Sequence, residues 1–477
     1  MSLPVIWIDF EDIFIHLETR ARPSGIQRLA FEAAREMVAI AGSERVRFVR
    51  HASGGSGFRE VAFDTVRKGF AVATGREGVV KILRSLPDPA PEAPRAMRVA
   101  WRRVGALMPP EVRFAMLQVM LRLWDAAAAV PGVFRAVRHA WSRRRKEVSD
   151  SGGVEAPVRM ARGDVLFALA APWGSEHQAR ATAVCRDGGV RYVAMIYDMI
   201  PLVRPEFCVV QLERRFRAWI THMLPLCDPP LVISHATGRD VAAFARAEGI
   251  ALRAPVRVVA IGSGFGGEER VPPVEPPLLP PGSYVLFVST IEARKNHTLL
   301  FRVWRRMMTE MPMDQVPELV FAGGIGWLVD DLMQQIRNSR FLDGKLAIVE
   351  SPTDAALASL YRGAMFSVYP SHYEGWGLPV VESLSFGTPV VAARATSLPE
   401  AGGSLARYFA DDDPADALRV IRGLIENPAE LAAWHAEVRA SFRPVSWQRT
   451  AREILDAIDG VDAAPACGQV DGVRLAV

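Results

Sequence analysis

The sequence predicts an α/β fold of two doubly wound, parallel-sheet halves that face a central cleft. Three observations carry that prediction. Short, continuously apolar runs alternate with stretches of helical periodicity, as strands buried on both faces and their crossover helices do. The alternation stops at 268–282 (EERVPPVEPPLLPPG), which holds six prolines, and then starts again. A chain of 477 residues is also too long for one ordinary core.

Taken in order, residues 4–10 (PVIWIDF) read as the first buried strand. Gly25 opens a helix over 26–38, with Leu29, Ala30, Ala33 and Met37 at helical spacing. Residues 46–50 are a second strand. The Pro-rich 85–96 (SLPDPAPEAPRA) reads as a linker or surface loop, 98–146 as two or three helices broken at Pro109–Pro110 and Pro131–Gly132, and 149–157 as another loop. Strands at 165–169, 191–196, 231–233 and 256–259 then alternate with helices, notably 207–223 and 237–248. Beyond the linker, strands are expected at 284–289, 319–322, 346–349, 365–369 and 390–393. An amphipathic helix lies within 442–458. The domain plan is therefore a first half at 1–267 with a helical insertion at about 95–147, a linker at 268–282, a second half at 283–441 and a terminal helix at 442–460. The small-residue tail at 461–477 reads as disordered.

Half of the residues are hydrophobic and 23% are charged, a globular balance. No apolar run approaches the ~18–20 residues that span a bilayer. The opening MSLPVIWIDFEDIF has acids inside its apolar stretch and no basic lead, so it reads as a strand and not as a signal peptide. Cys185, Cys208, Cys227 and Cys467 show no C-x-x-C spacing and fit the reduced thiols of a cytoplasmic protein. The net charge of +4 is unevenly placed: residues 95–146 carry twelve Arg and Lys against Glu111 and Asp125, with aromatic and aliphatic residues interleaved. A basic amphipathic segment of this kind can lie on an anionic membrane, here the inner face. The alternative is a helical insertion with a solvated basic face. Nucleic acid is excluded as a partner because no recognised binding module accompanies the basic run.

The most informative stretch is 371–389, SHYEGWGLPVVESLSFGTP. Glu374 and Glu382 stand eight positions apart, and a Gly-rich loop between them runs into a predicted helix. Pro379 fits the first helical position, where a missing N–H costs nothing. Gly387 fits the left-handed residue after the last turn. Such a loop aims the backbone N–H groups of Gly375, Trp376, Gly377 and Leu378, with the positive end of a helix dipole, at one point. That is an anion site, most naturally for phosphate, and glycines there permit close approach. Glu374 is expected in the loop mouth and Glu382 in the first helical turn. Carboxylates beside a phosphate site suit sugar hydroxyls. A site that takes a diphosphate, a ribose and a second polyol describes a nucleotide-sugar. Arg294 and Lys295 follow a predicted strand end, where a forked cation and a compact one suit a diphosphate leaving group. Taken alone they are an ordinary surface pair. Glu292 is expected to cap or to form a local ion pair.

The E-x7-E spacing inside EGWGLPVVE resembles the signature of the family 4 retaining glycosyltransferases of GT-B architecture. Its surroundings are similar too: 285–297 (VLFVSTIEARKNH), 319–327 (LVFAGGIGW), 388–403 (TPVVAARATSLPEAGG), 23–28 (PSGIQR), 196–206 (IYDMIPLVRPE) and 232–240 (VISHATGRD). The likeness is dense over roughly 160–450 and thin over 50–160. It implies that Arg294 and Lys295 hold the diphosphate, that Glu382 binds ribose, and that Glu374 contacts the donor sugar near its anomeric end. Nucleophile and electrostatic stabiliser stay open for Glu374, a front-face mechanism being the safer statement. It further implies that Gly25 lets an N-terminal loop approach the donor phosphate from the opposite wall, and that the terminal helix crosses back onto the first domain. Gly324, with Gly323 and Gly326, forms a turn for ligand contact or for tight strand-to-helix packing. One departure stands out. Relatives often have His where this chain has Tyr197. Asp198 is then a candidate for orienting the acceptor hydroxyl, the alternative being an Asp that caps the next turn. His177 and His235 are further cleft candidates.

No D-x-D lies in a metal-binding context. Residues 411–413 read as a loop before Pro414, and Asp330 and Asp331 as a helix start. Metal-free chemistry without a cofactor is expected, with Arg294, Lys295 and helix-terminus amides stabilising the departing diphosphate. The function implied is retaining transfer of a hexosyl group from a nucleoside-diphosphate sugar to a glycan or lipid-linked saccharide in bacterial cell-surface polysaccharide assembly. Rival readings are a sugar-nucleotide epimerase or hydrolase on the same plan, and a non-catalytic nucleotide-sugar-binding subunit. Intact Glu374, Glu382, Arg294 and Lys295 argue against the last.

Overall fold

The computed structural model describes residues 3–19, 25–52, 57–74, 80–85, 158–263 and 277–461. The chain divides into a unit of residues 1–84 with 157–477 and a second unit of 85–156. The basic insertion at 95–147 with its membrane-facing reading, most of the loop at 85–96, the 149–157 loop, linker residues 268–276, Pro23 and Ser24, and the tail from 462 lie outside the described residues.

Among the described residues, the larger unit holds two sheets of seven strands each. Along the first, the order is β3 (Phe58–Val61), β2 (Val46–His51), β1 (Ile6–Asp9), β5 (Val165–Ala168), β6 (Arg191–Ile196), β7 (Cys227–Val232) and β8 (Arg257–Val258). Along the second it is β14 (Arg407–Phe409), β13 (Val390–Ala393), β12 (Phe366–Tyr369), β9 (Tyr284–Val288), β10 (Glu318–Ala322), β11 (Leu346–Glu350) and β4 (Lys81–Leu83). All pairings are parallel except β2 with β3 and β11 with β4. Helices cover both faces, and this is why β1, β5, β9 and β12 are buried at every position.

The expected strands are present. The helix expected over 207–223 begins at Val210, because Pro205–Phe207 forms a separate short turn. Strands β3, β4 and β14 were not read from the sequence. β4 crosses the boundary drawn at 267: Leu83, Ile82 and Lys81 pair with Ile348, Val349 and Glu350. The chain thus visits the second sheet before it completes the first.

The helix Trp447–Asp459 returns to the first half. Trp447, Ala451, Ile454, Leu455 and Ile458 are buried in one cluster with Leu29, Ala33 and Met37 of the helix Gly25–Ala41. Gly262 admits this helix, since a Cβ there would lie 2.5 Å from Trp447 Cδ2. Thr450 Oγ1 fastens it, accepting from the Gly262 N–H and donating to the Ala260 carbonyl, each at 2.8 Å. Each large apolar side chain so buried contributes about 1.5–3 kcal/mol relative to exposure.

Candidate functional site

The site is built at the carboxyl ends of β9 and β12. After β9 the chain makes a short turn, Ala293–Lys295, stopped by Asn296 at φ 58°. Asn tolerates this left-handed conformation. Its side chain also accepts the Leu299 N–H at 3.3 Å and so caps the helix His297–Glu310. The turn throws Arg294 and Lys295 inward, leaving their side chains 15% and 14% exposed. They are not a surface pair.

Both cations meet Glu374. Lys295 Nζ lies 2.6 Å from Glu374 Oε1, and Arg294 Nη1 lies 3.0 Å from Oε2. Arg294 also donates to the Tyr373 carbonyl and to Glu292 Oε1, each at 2.6 Å. Burial alone would raise the Glu374 carboxyl, but Lys295 and Arg294 outweigh it and hold it down to about 2. Asp198, on the first half, moves the other way: burial pushes its carboxyl up, against the pull of Arg294. Asp198 Oδ1 also accepts the Ile200 N–H at 3.0 Å, so it caps the next turn while facing the cluster.

The loop carrying Glu374 is held by residues that sequence reasoning passed over. The Glu374 N–H donates to Thr396 Oγ1 at 2.9 Å, and the Thr396 hydroxyl returns a bond to the Glu374 carbonyl at 3.0 Å. Ser397 Oγ lies 2.8 Å from the carbonyls of both Glu374 and Trp376. Gly375 is required by the opposite wall: a Cβ there would lie 2.2 Å from the Tyr197 carbonyl oxygen and 3.0 Å from Asp198 Cβ. Gly377, at φ 120°, caps the helix Leu378–Ser385. The side chains of Trp376 and Leu378, partly buried, pack on the first half's core. Gly25 faces Leu378, whose Cδ1 is 3.5 Å from the site of a Cβ. At Gly324 the nearest atom to an added Cβ is Ser351 Oγ at 3.9 Å, so there is room for a ligand. Gly323 and Gly326 are packing glycines, since a Cβ would strike Ser289 O at 2.0 Å and Thr290 Cγ2 at 2.8 Å, respectively.

Two positions differ from expectation. Because Gly377 is the cap and Leu378 the first helical residue, Pro379 is second and not first. For the same reason Glu382 is the fifth residue, in the second turn and not the first. Tyr361 OH donates to Glu382 Oε2 at 3.0 Å. Burial pushes the Glu382 carboxyl up, opposed by Arg28. Arg28 reaches from the first half to Asp354, at 2.9 Å. The two glutamates of the E-x7-E pair therefore sit in opposite environments, one held ionised by cations and the other pushed toward its neutral form.

Further contacts close the cleft. Glu400 accepts the N–H groups of His235 and Ala236 at 2.7 and 2.8 Å, capping the helix His235–Ala247 from across the cleft. Tyr373 OH bonds Asp240, and Trp327 Nε1 donates to the Phe207 carbonyl at 3.0 Å. His235 thus contributes its backbone here. His177 lies apart from the Glu374 cluster, beside Asp9. Asp413 caps the helix Pro414–Ile425, and Asp330 and Asp331 open the helix Asp330–Asn338.

Residues 277–440 match the family model described as Glycosyl transferases group 1. The chain is similar to the serotype-specific mannosyltransferase WbdA of Escherichia coli, at 24% identity over 331 residues, covering 66% of this chain and 39% of that protein. It is also similar to the O-antigen chain mannosyltransferase B of Escherichia coli, at 34% identity over 176 residues, covering 36% of this chain and 41% of that one. The chain therefore spans about two fifths of the length of these curated relatives. Among solved structures, Anabaena Alr3699/HepE in complex with UDP-glucose superposes with a TM-score of 0.54 at 13% identity, covering 96% of this chain and 100% of that one. Sucrose-phosphate synthase from Thermosynechococcus elongatus gives 0.52 at 15%, covering 96% and 99%. The fold is GT-B. On that plan the Arg294–Lys295–Glu374 cluster belongs to the second domain, and Gly25, Tyr197 and Asp198 to the wall opposite.

Proposed function

We propose that this chain is a metal-independent, retaining glycosyltransferase of the family 4 type, which moves a hexosyl group from a nucleoside-diphosphate sugar to a saccharide hydroxyl. The reading is carried by one observation: Arg294, Lys295 and Glu374 form a part-buried ion cluster at strand ends, inside the segment that matches group 1 glycosyl transferases. A diphosphate entering the site takes over the two cations, and Glu374 turns toward the donor sugar as an ionised carboxylate. Charge on the departing diphosphate is met by Arg294, Lys295 and the amides of the 374–378 loop. Positive charge at the anomeric carbon is met by Glu374. Glu382, on its Tyr361 support, takes the ribose, and Asp198 orients the incoming hydroxyl. Gly25 and Gly324 give the donor backbone-close walls. Closing the halves excludes water, the competing acceptor.

The retaining assignment rests on the E-x7-E pattern. The hexosyl donor and the polysaccharide setting rest on the mannosyltransferase relatives and on HepE with its UDP-glucose. The acceptor is a glycan or lipid-linked saccharide at the cytoplasmic side. Contact with an anionic membrane through 95–146 rests on composition, and no helix among the described residues is long and apolar enough to cross a membrane.

A thermal-shift series with UDP-, GDP- and ADP-sugars tests the reading, followed by NMR of the product made from the stabilising donor and a panel of oligosaccharides. One donor class should raise the melting temperature, and the new linkage should keep the donor's anomeric configuration. Free monosaccharide or an isomerised donor without transfer would assign a hydrolase or epimerase. Stabilisation without turnover would leave a binding subunit, and an inverted linkage would end the retaining assignment.

A further inference from the structure

The carboxyl edge of the first sheet carries a second polar cluster that donor chemistry does not use. Asp9 ends β1, His51 ends β2, and His177 lies in the first turn of the helix Ser175–Asp187 that follows β5. Asp9 and His177 are buried, and His51 keeps 15% of its side chain exposed. Asp9, His51 and His177 each offer one potential ligand atom, and the three lie within 4.8 Å of one another. Asp9 Oδ2 is 2.7 Å from His177 Nδ1 and 3.3 Å from His51 Nε2. Two imidazoles and one carboxylate, from three separate elements, thus aim at one spot.

The far sides of Asp9 and His177 are held as well. Asp9 Oδ1 accepts the Glu11 N–H at 2.9 Å. His177 Nε2 lies 3.0 Å from the buried Tyr192 hydroxyl. His51 Nδ1 lies 3.8 Å from Glu176 Oε2. An outer hydrogen bond such as that of Tyr192 fixes the ring orientation and tautomer of a metal-ligating histidine, whereas Glu176, 76% exposed, supplies only a longer-range charge to His51. The nearby cations are matched by carboxylates, Arg50 by Glu11 at 3.0 Å and Arg180 by Glu176 at 3.8 Å.

We infer that Asp9, His51 and His177 form a binding site for one divalent transition-metal ion of the zinc type, with the remaining coordination position on the exposed side of His51. Tetrahedral bonds of 2.0–2.2 Å place ligand atoms about 3.3–3.5 Å apart. The Asp9–His51 separation already meets that, and the Asp9–His177 contact opens by about half an ångström or slightly more to do so. The ion ties the ends of β1 and β2 to the helix after β5 and so stiffens the edge of the first sheet. Asp198 follows β6, two strands along from β1, and no step of sugar transfer passes through the ion.

The test uses the untagged full chain, stripped with EDTA, with zinc chloride as the probe in calorimetry and thermal shift. One Zn²⁺ per chain should bind and raise the melting temperature. His51→Ala should lower the affinity at least about tenfold, remove most of the thermal gain and leave the circular dichroism unchanged. Asp9→Asn should abolish uptake; should that buried substitution prevent folding, the partly exposed His51 decides alone. No uptake by the parent protein, or equal uptake by His51→Ala, overturns the site. Neither result bears on nucleotide-sugar binding, which is read separately.

Discussion

Lys295 Nζ lies 2.6 Å from Glu374 Oε1, with both side chains largely withdrawn from solvent. Taking two such charges out of water is costly, and the cost is offset only because each meets its opposite. On the proposed function, Glu374 is a stand-in for the diphosphate. The cations are held ready by a carboxylate that must let go when the donor arrives.

Lys295→Ala should weaken binding of the cognate nucleoside diphosphate by about 1.5–3 kcal/mol, the worth of one charged hydrogen bond. That is roughly a ten- to hundredfold rise in Kd by calorimetry. Arg294 remains on Glu374 at 3.0 Å, so the variant should fold. An unchanged Kd would place the diphosphate elsewhere.

Glu374→Gln removes the carboxylate that competes for Arg294 and Lys295 but keeps its size. Nucleotide binding should be spared or tightened, whereas turnover, followed by nucleotide release, should fall. Undiminished turnover would remove Glu374 from the chemistry.

The same pair sets an acid limit on stability. The Glu374 carboxyl is depressed in the fold to about 2, so its ion pairs stabilise fully above the ordinary glutamate range and are lost as pH falls toward 2. Asp198 and Glu382, pushed up by burial, act with the opposite sign: their penalty disappears on acidification. The comparison is therefore between variants. Between about pH 4.5 and 2, the melting temperature of the parent protein should fall more steeply than that of Glu374→Gln.

Much of this site was legible because its residues are close in sequence or carry strong local rules. R-K-N could be read only through its likeness to a known motif; what fixes where Arg294 and Lys295 go is Asn296, which both accepts a left-handed turn and caps a helix. The doubly wound halves could be read because strands buried on both faces leave continuous apolar runs. What escaped depends on long-range placement. Lys81–Leu83 is too short to show a period, and it is a strand only because the edge of β11 is there. Glu400 has no local sign of capping a helix that begins at His235. Asp9 and His177, far apart in sequence, meet only through strand order. The turn assigned to Glu382 was wrong because the helix boundary was set by Gly377 and not by Pro379.

Glu400→Ala tests the closed arrangement. The orphan N–H groups of a helix start need partners, and here the partner comes from the other half. Removing it should destabilise the closed form by about 0.5–2 kcal/mol, as loss of a cap does. Thermal unfolding should register the loss, and small-angle scattering of the donor-bound protein should show a larger radius of gyration than the parent. Equal radii would mean that the cap does not help to hold the halves together.

Gly375→Ala tests how closely the halves meet during transfer. Gly375 is not at positive φ, so alanine is conformationally allowed and the substitution reports on space alone. Its Cβ would lie 2.2 Å from the Tyr197 carbonyl oxygen, a backbone atom that cannot swing aside. Either the loop or the opposite wall must shift, and Glu374 is the adjacent residue. A displacement of about 1 Å at a reacting group costs on the order of a hundredfold in rate. Turnover should therefore fall by about that factor. Nucleotide affinity, which the proposed function assigns to Arg294 and Lys295 within the second half, should change far less. A variant with parental turnover would show that Tyr197 and the 374–378 loop stand apart when the sugar is transferred.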